Sequence, residues 1–305
     1  MPWRVDDIVK SPAFGYGRVL WRDTQYLWVY FPELPDGPDV AVKKLSADAA
    51  ILELAPEASD PRLKYPLPFN VVDGVIKWPK VARLSQRQAV ELFLSKYPNA
   101  FADPALARSE LDYKRQACAL YQSLFGEERA QTLLDAGNLE AVATAVAQLF
   151  QATNIPSRFE MFAIRDGVKD LDATDTMLRG LLAFLHEPCE DSFSVLADGF
   201  ARLPAQEGKT APLKWPNVTL LPFLARPDRF IVVKPAMMRL AAGRLFFDLA
   251  YDSSPNWTTF DRILEFSEYL RQSLEPLGAK DMIDVHSFIW VTAGEPMMTK
   301  ATLDR

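Results

Sequence analysis

The chain has 305 residues, with 34 Lys and Arg against 40 Asp and Glu and 49% hydrophobic residues. That content supports a real core, the length suits two domains, and a net charge of −6 describes an ordinary soluble protein. No run approaches the roughly eighteen apolar residues of a membrane-spanning helix. The start, MPWRVDD, lacks the apolar stretch of a secretory signal. Cys118 and Cys189 give no disulfide framework, so a cytoplasmic protein with reduced thiols is expected.

Residues 5 to 54 read as a small, strongly bent β-barrel. Ile8-Val9 opens a strand that Ser11-Pro12 breaks. Phe14-Gly15-Tyr16-Gly17 then places two glycines around an aromatic, where the backbone takes positive φ or bends sharply. Arg18 to Arg22 forms the next strand, Asp23-Thr24 a turn, and Tyr26 to Phe31 an aromatic and β-branched strand. Pro32 to Pro38 reads as a loop, Val40 to Leu45 as the fourth strand, and Ile51 to Leu54 as the closing one. Five short strands in this length fit an SH3-like or Tudor-like barrel better than a sandwich.

The spacing Val9-x4-Phe14-Gly15-x-Gly17-x-Val19 resembles the opening of the Tudor-like barrel of CarD-type transcription regulators. Similar barrels occur in transcription-repair coupling factors and in UvrD-type helicases. The resemblance covers about a sixth of the chain and implies a module that binds protein, chiefly RNA polymerase. Alternation sends half of the aromatic strand to each face. Phe14, Tyr16, Trp21, Tyr26, Trp28 and Tyr30 are therefore the candidate partner-binding residues, unless they pack as core or as a seam.

The barrel is expected over residues 1 to 58, followed by a linker and short hairpin over 59 to 82. Proline crowding between Ala55 and Phe69 gives the connector, and Asp73-Gly74 between apolar pairs gives the hairpin. From residue 83 to 305 the period turns helical, with a subdivision near 203 to 215. The fold class is thus α+β, mostly α. Ser85 caps a helix to Tyr97; Asp103-Pro104 starts a long helix ended by Gly126; Asn138 caps another with an apolar stripe from Leu139 to Phe150. Thr174 or Asp175 caps a helix to His186, and Asp191 caps one to Leu203. Phe230 to Val233 reads as a strand, 236 to 251 and Trp257 to Leu274 as helices, and Asp281 to Val291 as a final docked element. Leu-Pro-Phe-Leu (221 to 224), Lys234-Pro235 and Asp281 to Val285 together resemble uncharacterised modules near bacterial restriction and phage-defence genes.

Chemical motifs are weak, and neither a metal site nor a cofactor is assigned. His186 and Cys189 lack the further ligands zinc requires, and the acids from Asp166 to Asp175 lack the spacing of a calcium loop. Gly208-Lys209-Thr210 lacks the upstream glycine of a phosphate cradle, since Leu203 stands there. Cys118 or Cys189 with His286 has no local catalytic motif. Asp198 with Glu207 and Lys209 mimics the acid set of metal-dependent nucleases, but these residues fall outside rigid strands.

Charge is more informative. Residues 202 to 244 hold eight Lys and Arg against two acids, interleaved with aromatics. Lys214, Arg226, Arg229, Lys234, Arg239 and Arg244 are the candidate contacts to DNA or RNA. The expectation is a non-enzymatic adaptor. Its barrel recruits a protein partner, RNA polymerase or a nucleoprotein complex, and its basic face adds nucleic-acid affinity. The alternatives are a metal-dependent nuclease of the defence kind and a plain scaffold whose barrel packs on its own helical body.

Overall fold

In the computed structural model, residues 3–34, 41–48, 51–79, 84–126 and 128–293 are described. The chain is mostly helical, 55% helix and 12% strand, with an antiparallel sheet at its N-terminal end. It divides into two compact units. One takes residues within 1–92 together with Arg239–Leu249, and the other takes Phe93–Met238 and the stretch from Ala250 to 294.

The first unit is built on five strands: β1 (Ile8–Ser11), β2 (Gly15–Arg22), β3 (Tyr26–Tyr30), β4 (Val42–Ser46) and β5 (Glu53–Leu54). Their order is β4-β3-β2-β1-β5, all antiparallel. Closure of the expected barrel would need β4 to meet β5, and no such pairing occurs among the described residues. The N-terminal element is an antiparallel sheet in which no closed barrel is detected among the described residues, and the expected loop beyond Leu34 falls on residues 35 to 40, outside the described ones.

Both glycines of the Phe14-Gly15-Tyr16-Gly17 stretch have a physical reason. Gly15 adopts φ of +77° at the turn into β2. A Cβ on Gly17 would stand 2.6 Å from the Phe31 ring and 2.8 Å from Val29, so any larger residue would push β2 off β3.

Strand alternation sorts the aromatics as period-two patterning predicts. Leu27, Val29 and Phe31 join Trp3, Val9 and Val19 in one apolar cluster. Trp28 and Tyr30 face the other way, into a cluster with Leu20, Ala41, Leu63 and Ile76. A register shift between Val19 and Trp21 breaks the alternation and brings Trp21 against this second cluster.

The second face is covered by the chain itself. A short helix α1 (Pro61–Lys64) and the hairpin of β6 (Asn70–Val72) and β7 (Val75–Lys77) supply Leu63, Val71 and Ile76. Trp78 and Phe246 complete it, with ring centroids 5.8 and 6.2 Å from Tyr30. Leu67 N–H donates to the Phe246 carbonyl, and Asp248 N–H to that of Tyr65. Arg62, almost wholly buried, is held by Asp60 and Glu33.

The second unit is helical. Its elements are α2 (Gln86–Lys96, which begins in the first unit), α3 (Asp112–Phe125), α4 (Arg129–Asp135), α5 (Leu139–Gln151), α6 (Arg158–Gly167), α7 (Leu171–His186) and α8 (Glu190–Arg202). They are followed by α9 (Trp215–Ala225), α10 (Pro235–Arg244, which ends in the first unit), α11 (Trp257–Leu274) and α12 (Met282–Ala293). A π-helical turn, Ala107–Leu111, leads into α3. Helices α7 and α8 approach closely because Gly180 and Gly199 carry no side chain: a Cβ on Gly199 would lie 2.6 Å from the Met177 Cα. The core is an aromatic cluster in which Phe260 lies 4.9 Å from Phe193, 6.1 Å from Phe184 and 6.4 Å from Trp215.

Several boundaries differ from the periodicity reading. The cap of α7 is Asp170, which accepts from Ala173 N–H, so the helix starts earlier than a Thr174 or Asp175 cap implies. Helix α8 starts at Glu190, ahead of Asp191. Phe230 to Val233 is fully buried but forms no strand and pairs in no sheet among the described residues; Val233 N–H donates instead to Thr219 Oγ1 at 2.9 Å. The helix expected to run to Tyr251 stops at Arg244, after which Phe246 takes φ of +57° and turns the chain.

Candidate functional site

The partner-binding residues read from the sequence fall into two groups. Trp28 and Tyr30 are buried under the hairpin cover, so no partner reaches them on this surface. Phe14, Trp21 and Tyr26 are half-buried, and Tyr16 is exposed. Three of these four accessible aromatics, Phe14, Tyr16 and Tyr26, carry a lysine. Lys44 Nζ sits 4.0 Å above the Tyr26 ring and 4.9 Å above Trp28, Lys10 lies 5.4 Å from Tyr16, and Lys43 lies 5.7 Å from Phe14.

The sheet's two outer strands differ. Strand β4 presents Lys43 and Lys44, the charges that ordinarily guard an edge. Strand β5 pairs with β1 through Val9–Leu54 and Lys10–Glu53 and has no partner on its other side among the described residues. Ile51 and Leu54 are 77% and 62% exposed there, among the barest large apolar side chains of the molecule.

The basic stretch is less uniform than its composition. Lys214, Arg226, Arg229 and Arg239 are exposed. Arg226 makes two hydrogen bonds to Asp228, at 3.0 and 2.9 Å, which holds the Asp228 carboxyl below its ordinary pKa. The Arg229 guanidinium lies 5.4 Å from the Phe230 ring. Lys234 is half-buried, 3.8 Å from Glu160, and burial lowers its pKa. Arg244 is buried, so it presents no charge to a phosphate.

The residues of the nuclease alternative sit on a helix and a turn: Asp198 in α8, Glu207 and Lys209 in the segment after it, all exposed. Burial pushes the Cys118 thiol up to about 12, so it stays protonated at neutral pH and is a poor nucleophile. His286 is buried, its Nδ1 without a hydrogen-bond partner, and its pKa lies well below the usual imidazole range. Burial is the main cause, and the nearby Lys114 and Lys234 charges add to it. Lys114 is itself buried, donating to Glu110 at 3.0 Å and to Ser287 Oγ at 2.7 Å.

A concavity of about 500 Å³ lies elsewhere, between α6 and the 204–210 turn. A capping box starts α6: Ser157 accepts from Glu160 N–H, and Glu160 accepts from Ser157 N–H. Phe159, Phe162 and Asp166 then fall on one side of the helix, at the three- and four-residue steps of a helical face. The opposite wall is Pro204, Ala205, Gln206, Gly208, Lys209 and Thr210. The turn is seated at the helix end, where a Cβ on Gly167 would stand 3.0 Å from the Leu203 Cβ. Phe159 is 62% and Phe162 39% exposed, and Arg158 and Arg165 lie 5.4 and 4.8 Å from their respective rings. The sequence signal for this helix is the Ser157-x-x-Glu160 capping signature rather than the basic composition of 202–244.

The chain matches no known protein-family model, no curated protein and no solved structure.

Proposed function

We propose that the protein is a non-enzymatic adaptor that recruits a protein partner through its N-terminal sheet. The observation that carries this reading is the β5 edge, unpaired on one side and flanked by the exposed apolar residues Ile51 and Leu54. An extended segment of a partner adds to such an edge through main-chain hydrogen bonds, while the apolar side chains set its register. The lysine-guarded β4 edge is poorly suited to the same role. The glycine-aromatic opening supports a Tudor-like module, and with it RNA polymerase or a nucleoprotein complex as the partner class. The exposed cations Lys214, Arg226, Arg229 and Arg239 add salt-sensitive contact to nucleic acid.

The test is binding of the full chain to purified bacterial RNA polymerase and to nuclease-treated bacterial lysate, beside an Ile51→Lys, Leu54→Lys variant. Both positions are exposed, so the stability change expected is within about 0.5 kcal/mol per site. A nuclease-resistant partner retained by the unsubstituted chain and lost by the variant is the expected result. Binding that survives both substitutions, or the lack of any nuclease-resistant partner, overturns the reading.

A further inference from the structure

We propose that the groove between α6 and the 204–210 turn binds a small organic anion with an apolar, ring-bearing body. The proposal is independent of the adaptor reading, since it uses none of the sheet residues. Its volume of about 500 Å³ lies within the range of pockets that take drug-sized ligands. Its floor offers two aromatic faces, Phe159 and Phe162, left open to solvent although each would gain by burial.

The charge pattern selects the headgroup. Of the charged side chains that line the groove, Asp166 is already neutralised by Arg165 at 3.1 Å and by Lys169 at 2.9 Å. These contacts hold its carboxyl below the ordinary carboxylate pKa. Lys209 is different. Its ammonium hydrogen-bonds the Gln206 side-chain carbonyl, a neutral group, and meets no carboxylate within ion-pair distance among the described residues. An apolar groove whose wall carries Lys209 without a carboxylate partner is complementary to a ligand with an anionic group, a carboxylate, sulfonate or phosphate, on an aromatic or cyclic body. Glu207, the neighbour of Lys209, does not line the groove.

Anilinonaphthalene sulfonate, titrated into the full chain and read by fluorescence, tests this directly. The comparison probe is phenylnaphthylamine, the same ring system without the sulfonate. Saturable binding of one sulfonate dye per chain is expected. Lys209→Gln should weaken the sulfonate dye about fivefold, the size of one exposed charge contact, and leave the neutral dye unchanged. Phe159→Ala with Phe162→Ala should weaken both dyes. All three positions are solvent-accessible, and an unaltered thermal midpoint checks that each variant is folded. The proposal is overturned if the sulfonate dye does not saturate, or if neither variant changes its affinity. It is also overturned if Lys209→Gln weakens the two dyes equally, because Lys209 would then not be reading the charge.

Discussion

The two units bury their aromatic residues in opposite ways. In the sheet unit the rings of Trp28 and Tyr30 lie on a strand face that is finished only when segments from residues 61–78 and from Phe246 lie across it. In the helical unit Phe184, Phe193, Trp215, Phe230, Trp257 and Phe260 converge from several elements on one centre. A cover shares its load among partly exposed residues such as Trp78, whereas a converging cluster loads its central member. Unequal sensitivity to truncation follows.

The largest effect is therefore expected at Phe260, fully buried and within 6.5 Å of the rings of Phe184, Phe193, Trp215, Phe230 and Trp257. Phe260→Ala should cost about 3–5 kcal/mol, since the cavity it leaves is walled by rigid rings. Trp78→Ala should cost about 2 kcal/mol, because the side chain is only half-buried and the hairpin can settle onto the sheet. Urea denaturation of both variants measures this. Equal losses would mean that the hairpin cover is as much a core as the helical cluster.

The units also differ in how they hold a buried cation-forming side chain. Arg62 of the sheet unit is met by two carboxylates, while His286 of the helical unit is buried with Nδ1 unpartnered and two lysines for electrostatic neighbours. The groups acting on it from packed elements are Lys114 on α3 and Lys234 at the start of α10. Below pH 6.5 the unfolded chain takes up a proton at this histidine that the folded chain refuses. Stability should fall with pH there, by up to about 1.4 kcal/mol for each pH unit, until the folded imidazole also protonates. His286→Gln removes that component. Denaturation midpoints for both proteins between neutral and acid pH should converge as the pH falls, and parallel curves would rule out the histidine as the source.

How much of this was legible follows the same contrast. The alternation from Tyr26 to Phe31 and the glycine pair at 15 and 17 are local signals, and both sheet faces follow from them. The cover of the second face is not local: nothing near Trp28 announces that residue 246 will lie over it. The bulge that turns Trp21 is likewise set by pairing with β3. Helix α9 was invisible for a different reason. Every one of its residues is buried, so it has no polar face and no period, and Pro216 and Pro222 read as breakers. In the groove, Phe159 and Phe162 look like ordinary core spacing on a helix, and only the packing shows that they face out. Arg244 is the converse, a cation counted with a basic face that the fold takes inside.

The smallest stability effect, and the sharpest test of the charge contrast, lies in the remaining cations. Residues 1 to 55 carry six bases against eight acids, while 202 to 244 carry eight against two. If the second stretch contacts phosphate, Arg226→Gln, Arg229→Gln and Arg239→Gln together should lower the slope of log affinity for DNA against log salt. Three full contacts would account for a slope change of about 2.7. Arg226 is already held by Asp228, and releasing it from that carboxylate offsets part of what a phosphate offers, so a change nearer 2 is expected. Each substitution is at an exposed position, where the fold should lose no more than about 0.5 kcal/mol. An unchanged slope with intact folding would show that the basic composition of this stretch serves packing and ion pairing. The acidic and basic stretches would then differ in charge without differing in what they bind.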